Sequence, residues 1–123
     1  YAMAGIGDPL TELDLAEVTD AYTGAELQSY EALGFCAPGE SGPLLQQGLF
    51  DLGGELPVNT SGGLLGQGGP PGAIGLAQAI EILRQLRGEC PPERQVANAR
   101  RGLADIHGGT ASYCVVSIFE RRD

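Results

Sequence analysis

Lysine is absent from this 123-residue chain, and basic charge is scarce altogether: seven arginines stand against sixteen acids, for a formal net charge of -9. That balance argues against nucleic acid as a partner, because a phosphate backbone is met by a basic stripe. A Walker phosphate loop, GxxxxGK[ST], is excluded outright, since its lysine does not exist. Long apolar runs are missing too, and the opening YAMAGIGDPLTE has no basic n-region, so neither a membrane span nor a secretory signal is read and the expected location is cytoplasmic. Cysteine is limited to Cys36, Cys90 and Cys114, odd in number and without CxxC spacing. Spacing therefore suggests neither a disulfide framework nor a metal site, and reduced structural thiols are the expectation. An initiator methionine is also lacking, and the first residues read as the end of a helix, as expected of a piece of a longer protein.

What is present is enough for one modest core. With 42% hydrophobic and 19% charged residues the chain is neither disordered nor fibrous in type, and residues 1–123 read as one domain. LDLAEVTDAY, after the turn signal DPLT, predicts a short strand ending near Thr19. TGAELQSYEALG then predicts an amphipathic helix with Thr23 as cap and Gly34 as stop. Residues 37–57 carry glycine and proline throughout and read as an irregular surface excursion with a single helical turn. PVN reads as a very short strand entering the glycine-rich stretch NTSGGLLGQGGPPGAIG. From Pro70, placed at the first helical position, Ala73, Ala77, Ile80, Leu83 and Leu86 mark a buried helix face while Gln78, Glu81, Gln85 and Arg87 point outward. GLADIHGG and ASYCVVSIFER read as paired antiparallel strands. The sum, β-α-loop-β-α-β-β, is an α/β layer arrangement with a mixed sheet covered by helices.

Three corners could carry chemistry. The glycine turn fails the dinucleotide fingerprint as well as the Walker loop, because Pro71 stands where a third glycine belongs. Its amides and the helix start after it favour partial negative charge, such as a developing oxyanion. The single histidine, His107, sits two residues from Asp105, so the two share strand parity; imidazole is the natural base near neutral pH, and a carboxylate can orient it. A histidine that only hydrogen-bonds within a turn is the other reading. Thr19, Asp20 and Tyr22 end a strand at the carboxyl edge, where open α/β sheets collect ligands, although Asp20 also suits a helix cap.

The order and spacing of these corners resemble the C-terminal domain of the thiolase superfamily, and most closely its sterol-carrier-protein-type and lipid-transfer-like branch. TDAY is similar to the family's Asn-Glu-Ala-Phe or His-Asp-Ala-Phe motif, and ELQSYEALGFC to the helix after it. LPVNTSGGLLGQGGPPGAIGLAQAIEILRQLRGE resembles the Val-Asn-x-x-Gly-Gly segment, the Gly-His-Pro-x-Gly-Ala-x-Gly turn and the long helix. GLADIHGGTASYCVVSIFER resembles the terminal strand pair with its Cys-x-Gly-Gly turn. The resemblance covers nearly the whole chain and implies the second of two similar halves.

Carried residue by residue, the resemblance implies an altered site. Gly69 stands where the family has the histidine of Gly-His-Pro, Asp105 where it has the acid/base cysteine, and Thr19 where its first motif has Asn or His. Two interpretations follow: a non-catalytic assembly or lipid-binding subunit, or a site rebuilt for other chemistry. In the rebuilt site the catalytic groups are His107, Asp105, Asp20 and Tyr22, and Thr19, Asn59, Gly68, Gly69 and Gly108 are substrate-binding positions. The branch includes aldolases that cleave steroid side-chain thioesters by a retro-aldol step with a small DUF35-type partner carrying an OB fold. The implied substrate is a coenzyme A thioester with no tightly bound cofactor. The implied partners are the N-terminal thiolase half, a second copy in a homodimer of the full-length protein, and the DUF35/OB-fold protein.

Overall fold

Alternating apolar residues at the C-terminus predict a hairpin, and the computed structural model, which describes residues 1–109 and 111–122, contains it. In chain order the elements are α1 (Pro9–Glu12), β1 (Leu15–Glu17), α2 (Thr23–Ala32), α3 (Ser41–Gln46), α4 (Gly63–Gln67), α5 (Ile74–Arg87), β2 (Arg101–Gly108) and β3 (Tyr113–Glu120), with 3-10 turns at Ala2–Ala4 and Pro92–Arg94. The sheet order is β1-β2-β3: β1 runs parallel to β2 (Ala16 opposite Leu103), and β2 antiparallel to β3 (Asp105 opposite Val116, His107 opposite Cys114). The sheet is therefore mixed, with helices packed on it.

Strand parity divides the core in two. Ala16, Val18 and Leu103 face the side packed with Tyr30, Leu33, Phe35, Phe50 and Leu56, whereas Leu15 and Ala104 face Ile82 and Leu86 of α5. Gly102 lets α5 come this close, because a Cβ built there would meet Ile82 Cγ2 at 2.6 Å. Among the described residues, β3 is an edge strand whose first half stays exposed on both faces, with Tyr113, Val115 and Val116 71%, 56% and 43% accessible, while Ile118 and Phe119 pack against the two core clusters.

Several sequence expectations are corrected. DPLT is not a bare turn: Asp8 Oδ1 accepts from Leu10 N at 3.1 Å and Pro9 opens the one-turn helix α1. Thr23 is the first residue of α2 rather than its cap, which is Tyr22. The strand at PVN shrinks to a single bridge between Val58 and Ala16. The helical turn expected within residues 37–57 is present as the short helix α3. The long helix begins at Ile74, not Pro70, and the short helix α4, absent from the sequence reading, precedes it.

The largest correction concerns the orientation of α5. Gln78, Glu81 and Gln85 are buried with Ile82 and Leu86, whereas Leu76, Ile80 and Leu83 are exposed to 67%, 41% and 38%. Polar side chains can line this seam because they bond one another and the chain beside them. Gln85 Nε2 donates to Arg94 O at 2.8 Å and Thr60 Oγ1 at 3.0 Å, its Oε1 accepts from Val96 N at 2.8 Å, and Glu81 pairs with Arg94.

Glu17 ends β1 beside this seam with 1% of its surface exposed, its carboxylate accepting from Ser61 N at 3.1 Å and Ser61 Oγ at 2.6 Å. Burial, reinforced by the nearby Glu81 and Asp20 carboxylates, pushes Glu17 up to about 7 against those two hydrogen bonds. A folded-state value above the unfolded one means that the native form holds a proton which the unfolded chain has lost. Stability therefore falls as pH rises from about 4.5 to about 7 and levels off above, by up to about 3 kcal/mol. Glu17→Gln keeps the shape and removes the titration. Urea unfolding at pH 5 and pH 8 should show that loss in the wild type and not in the variant; equal pH dependence in both would overturn the assignment.

Candidate functional site

The glycine-rich stretch is organised by Asp20. Its side chain, on a residue 2% exposed, accepts from Leu64 N at 2.6 Å and Leu65 N at 3.4 Å, so it caps α4 rather than the helix that follows it in sequence. The approach needs a residue without a side chain: Gly63 lies at φ +59°, and a Cβ there would sit 2.1 Å from Asp20 Oδ2. Asn59 is likewise committed to the scaffold. Its Oδ1 accepts from Val18 N at 2.8 Å and its Nδ2 donates to Glu26 Oε1 at 3.1 Å, from a backbone at φ +53°.

Thr19 continues the line of β1 beside β2. Its hydroxyl donates to Asp105 O at 2.9 Å and accepts from His107 N at 3.0 Å, and Gln78 Nε2 also donates to Asp105 O, at 3.1 Å. These bonds fix the backbone that carries the site. The shared parity of residues 105 and 107 then brings their side chains together, with His107 Nε2 2.9 Å from Asp105 Oδ2. Asp105 is 1% exposed, and the His107 side chain keeps 26% of its surface. Ser29 Oγ on α2 donates to Asp105 Oδ2 at 3.4 Å.

Sequence spacing did not place Cys114 here, but the strand register does. It stands opposite His107, and its thiol donates to Asp105 Oδ1 at 3.1 Å. Partial desolvation of the thiol, together with the hydrogen bond to Asp105 and its carboxylate charge, pushes Cys114 up to about 11, so it stays protonated near neutral pH.

His107 opens onto a cleft of about 690 Å³ walled by Thr19, Tyr22, Leu64, Gly69, Leu76 and Ile106, with Gly108 also at its edge. This volume suits a small organic ligand. Tyr22 is 64% exposed at the rim. Of the residues singled out in the sequence, Thr19, Tyr22, Gly69, His107 and Gly108 line the cleft, with Asp105 directly beside His107. Asp20, Asn59 and Gly68 are not among its lining residues. At Gly69 an added Cβ would meet Leu64 Cδ2 at 2.8 Å, so Leu64 covers the ground that a side chain would take. A second cavity, of about 60 Å³, lies between Glu17 and Gln78, and the Gln78 side-chain oxygen is buried without a partner among the described residues. No helix among the described residues is long and apolar enough to cross a membrane.

The thiolase C-terminal domain-like family matches residues 1–121. The chain is 43% identical over 110 residues to an acetyl-CoA acetyltransferase of Methanothermobacter thermautotrophicus, covering 89% of this chain and 28% of that one. It is 43% identical over 103 residues to sterol carrier protein 2 of Rattus norvegicus, covering 84% and 18%. Among solved structures, the Ltp2-ChsH2(DUF35) aldolase superposes with a TM-score of 0.73 at 32% identity, over 85% of this chain and 26% of that one. The chain thus spans between 18% and 28% of the length of these relatives.

Proposed function

This chain belongs to the thiolase C-terminal domain-like family, and from that premise we propose that it is the C-terminal half of an acyl-CoA enzyme that makes or breaks a carbon–carbon bond with altered catalytic side chains. The observation that carries the reading is the 2.9 Å contact between His107 and the buried Asp105 at the mouth of the cleft. The carboxylate beside Nε2 favours the proton on that nitrogen and leaves Nδ1 as the basic atom. In a retro-aldol step on a β-hydroxyacyl-CoA, such as a steroid side-chain thioester, His107 takes the hydroxyl proton and the O–H electron pair forms the second bond of a carbonyl at Cβ, which gives the aldehyde or ketone. The Cα–Cβ bond breaks, and its electron pair passes into the thioester as an enolate. Protonation of that enolate, with Tyr22 as the donor at the rim, gives the shortened acyl-CoA.

The exposed apolar face of α5 supplies the partner. Leu76, Ile80 and Leu83 lie at helical spacing on a domain that spans about a quarter of its relatives' length, and we assign them to the seam with the N-terminal half. Ile80→Asp should leave this domain folded, because the side chain is already 41% exposed. It should lower the stability of the full-length protein by about 2–4 kcal/mol in thermal or urea unfolding; an unchanged midpoint would remove the seam from this face. The remaining proposals are a cytoplasmic location, a homodimer of the full-length protein, and a DUF35/OB-fold partner of the kind named in the aldolase structure.

The test is turnover. The full-length protein with its OB-fold partner should convert β-hydroxyacyl-CoA into a carbonyl compound plus a shorter acyl-CoA, or, with free CoA added as the acyl acceptor, β-ketoacyl-CoA into two acyl-CoA products. A non-catalytic lipid-binding subunit is the second reading, favoured by the replacement of the family's groups at Thr19, Gly69 and Asp105 and by the apolar wall of Ala25, Leu64, Ile74, Leu76 and Ile106. Acyl-chain binding without turnover would decide for it.

A further inference from the structure

Asp105, His107 and Cys114 offer three different donor types within one small volume: their oxygen, nitrogen and sulfur atoms all lie within 4.8 Å of one another. We propose that this trio binds a borderline-soft divalent cation, with Zn²⁺ as the ion of best fit. The donor atoms around a tetrahedral zinc, bound at about 2.0–2.3 Å, stand about 3.3–3.8 Å apart. His107 Nε2 lies 2.9 Å from Asp105 Oδ2, Cys114 Sγ lies 3.1 Å from Asp105 Oδ1, and the donors all fall within 4.8 Å, so shifts of about 1 Å or less bring them to those separations.

The donor set selects the class of ion. A thiolate and an imidazole disfavour Mg²⁺ and Ca²⁺, which take oxygen ligands, and match Zn²⁺ or Co²⁺. Binding exchanges the S–H proton of Cys114 for the metal, so one proton leaves to solvent with each ion bound.

The surroundings are those of a site with an open position. Asp105 is held from behind by Ser29 Oγ, and its backbone carbonyl by Thr19 and Gln78, which fixes the carboxylate without occupying the cation's place. The two strands hold His107 and Cys114 directly opposite each other. Cys114 is exposed and His107 lines the cleft, so a fourth ligand, water or a substrate oxygen, has access.

This inference does not rest on the proposed reaction, and its readouts are independent of turnover. Co²⁺ added to the metal-free full-length protein should produce a thiolate-to-cobalt charge-transfer band that Zn²⁺ bleaches. Isothermal titration should give one Zn²⁺ per chain attributable to this site. Cys114→Ser and His107→Ala should each abolish the band or weaken binding by at least about 100-fold. In the unmutated protein Zn²⁺ should protect Cys114 from a thiol reagent, read by mass spectrometry against Cys36, which needs no substitution to fold. Absence of the band at saturating Co²⁺, its persistence in Cys114→Ser, or unprotected Cys114 would overturn the proposal.

Discussion

Replacing His107 with alanine is expected to lower turnover of the acyl-CoA substrate by about 10²–10⁴-fold, the range that a positioned acid–base side chain supplies. The loss should fall in kcat, because in the proposed role the imidazole acts on a proton in flight, and it contributes one edge of a cleft whose other walls remain. Asp105→Asn should also depress kcat, by taking the carboxylate from beside Nε2 and with it the preference for a base at Nδ1. The two substitutions act through one unit, so the double variant should lose little more than the worse single one. Both are measured as steady-state kinetics of the full-length protein with the proposed OB-fold partner. Turnover unchanged in His107→Ala would remove acid–base chemistry from this corner and leave the lipid-binding reading.

The second large effect is structural: Gln85→Leu should destabilise the fold by about 3–5 kcal/mol. Gln85 is 1% exposed, and its amide serves the Thr60 hydroxyl, the Arg94 carbonyl and the Val96 amide, with Gln95 Nε2 donating to its oxygen at 3.0 Å. Leucine fills a comparable volume but leaves at least the Val96 N–H and the Arg94 carbonyl without partners, each costing about 1–3 kcal/mol. If Gln85 lay on a solvent face, as its position in the sequence suggests, the same change would be worth no more than a few tenths of a kcal/mol. Urea unfolding separates the two. A shift in midpoint with unchanged m-value is expected, and a shift worth under about 0.5 kcal/mol would contradict the buried amide.

The terminal hairpin was legible because its alternation has period two, and the pairing of Asp105 with His107 followed from the same parity. Its register was not legible, since nothing in the linear order states that Cys114 stands opposite His107; the third member of the cluster appears only when the strands are paired. The existence of α5 was legible from its 3.6-residue period. Its orientation was misread because apolar periodicity marks the side to be covered and does not say by what. Within this chain the covered side carries Gln78, Glu81 and Gln85 beside Ile82 and Leu86, and a hydropathy pattern cannot register the hydrogen bonds of the three polar residues. Asp20 was seen as a cap candidate with no helix named for it. The helix it serves, α4, is five residues long and made of GLLGQ, too short for any periodicity.

The polar seam beneath α5 has a consequence for how the helix is aimed. Apolar contact tolerates rotation about the helix axis and sliding along it, whereas hydrogen bonds lose strength within a few tenths of an ångström or some tens of degrees. Gln78 on the Asp105 carbonyl, Gln85 across to Thr60, Arg94 and Val96, and Glu81 on Arg94 together admit one angular setting and one axial position. Leu76, Ile80 and Leu83 are thereby presented in a fixed bearing before anything meets them. The hydrogen-bonded side of the helix serves as a sight for its greasy side, and drift at Gln85 would mis-aim a surface on the far side of the same helix.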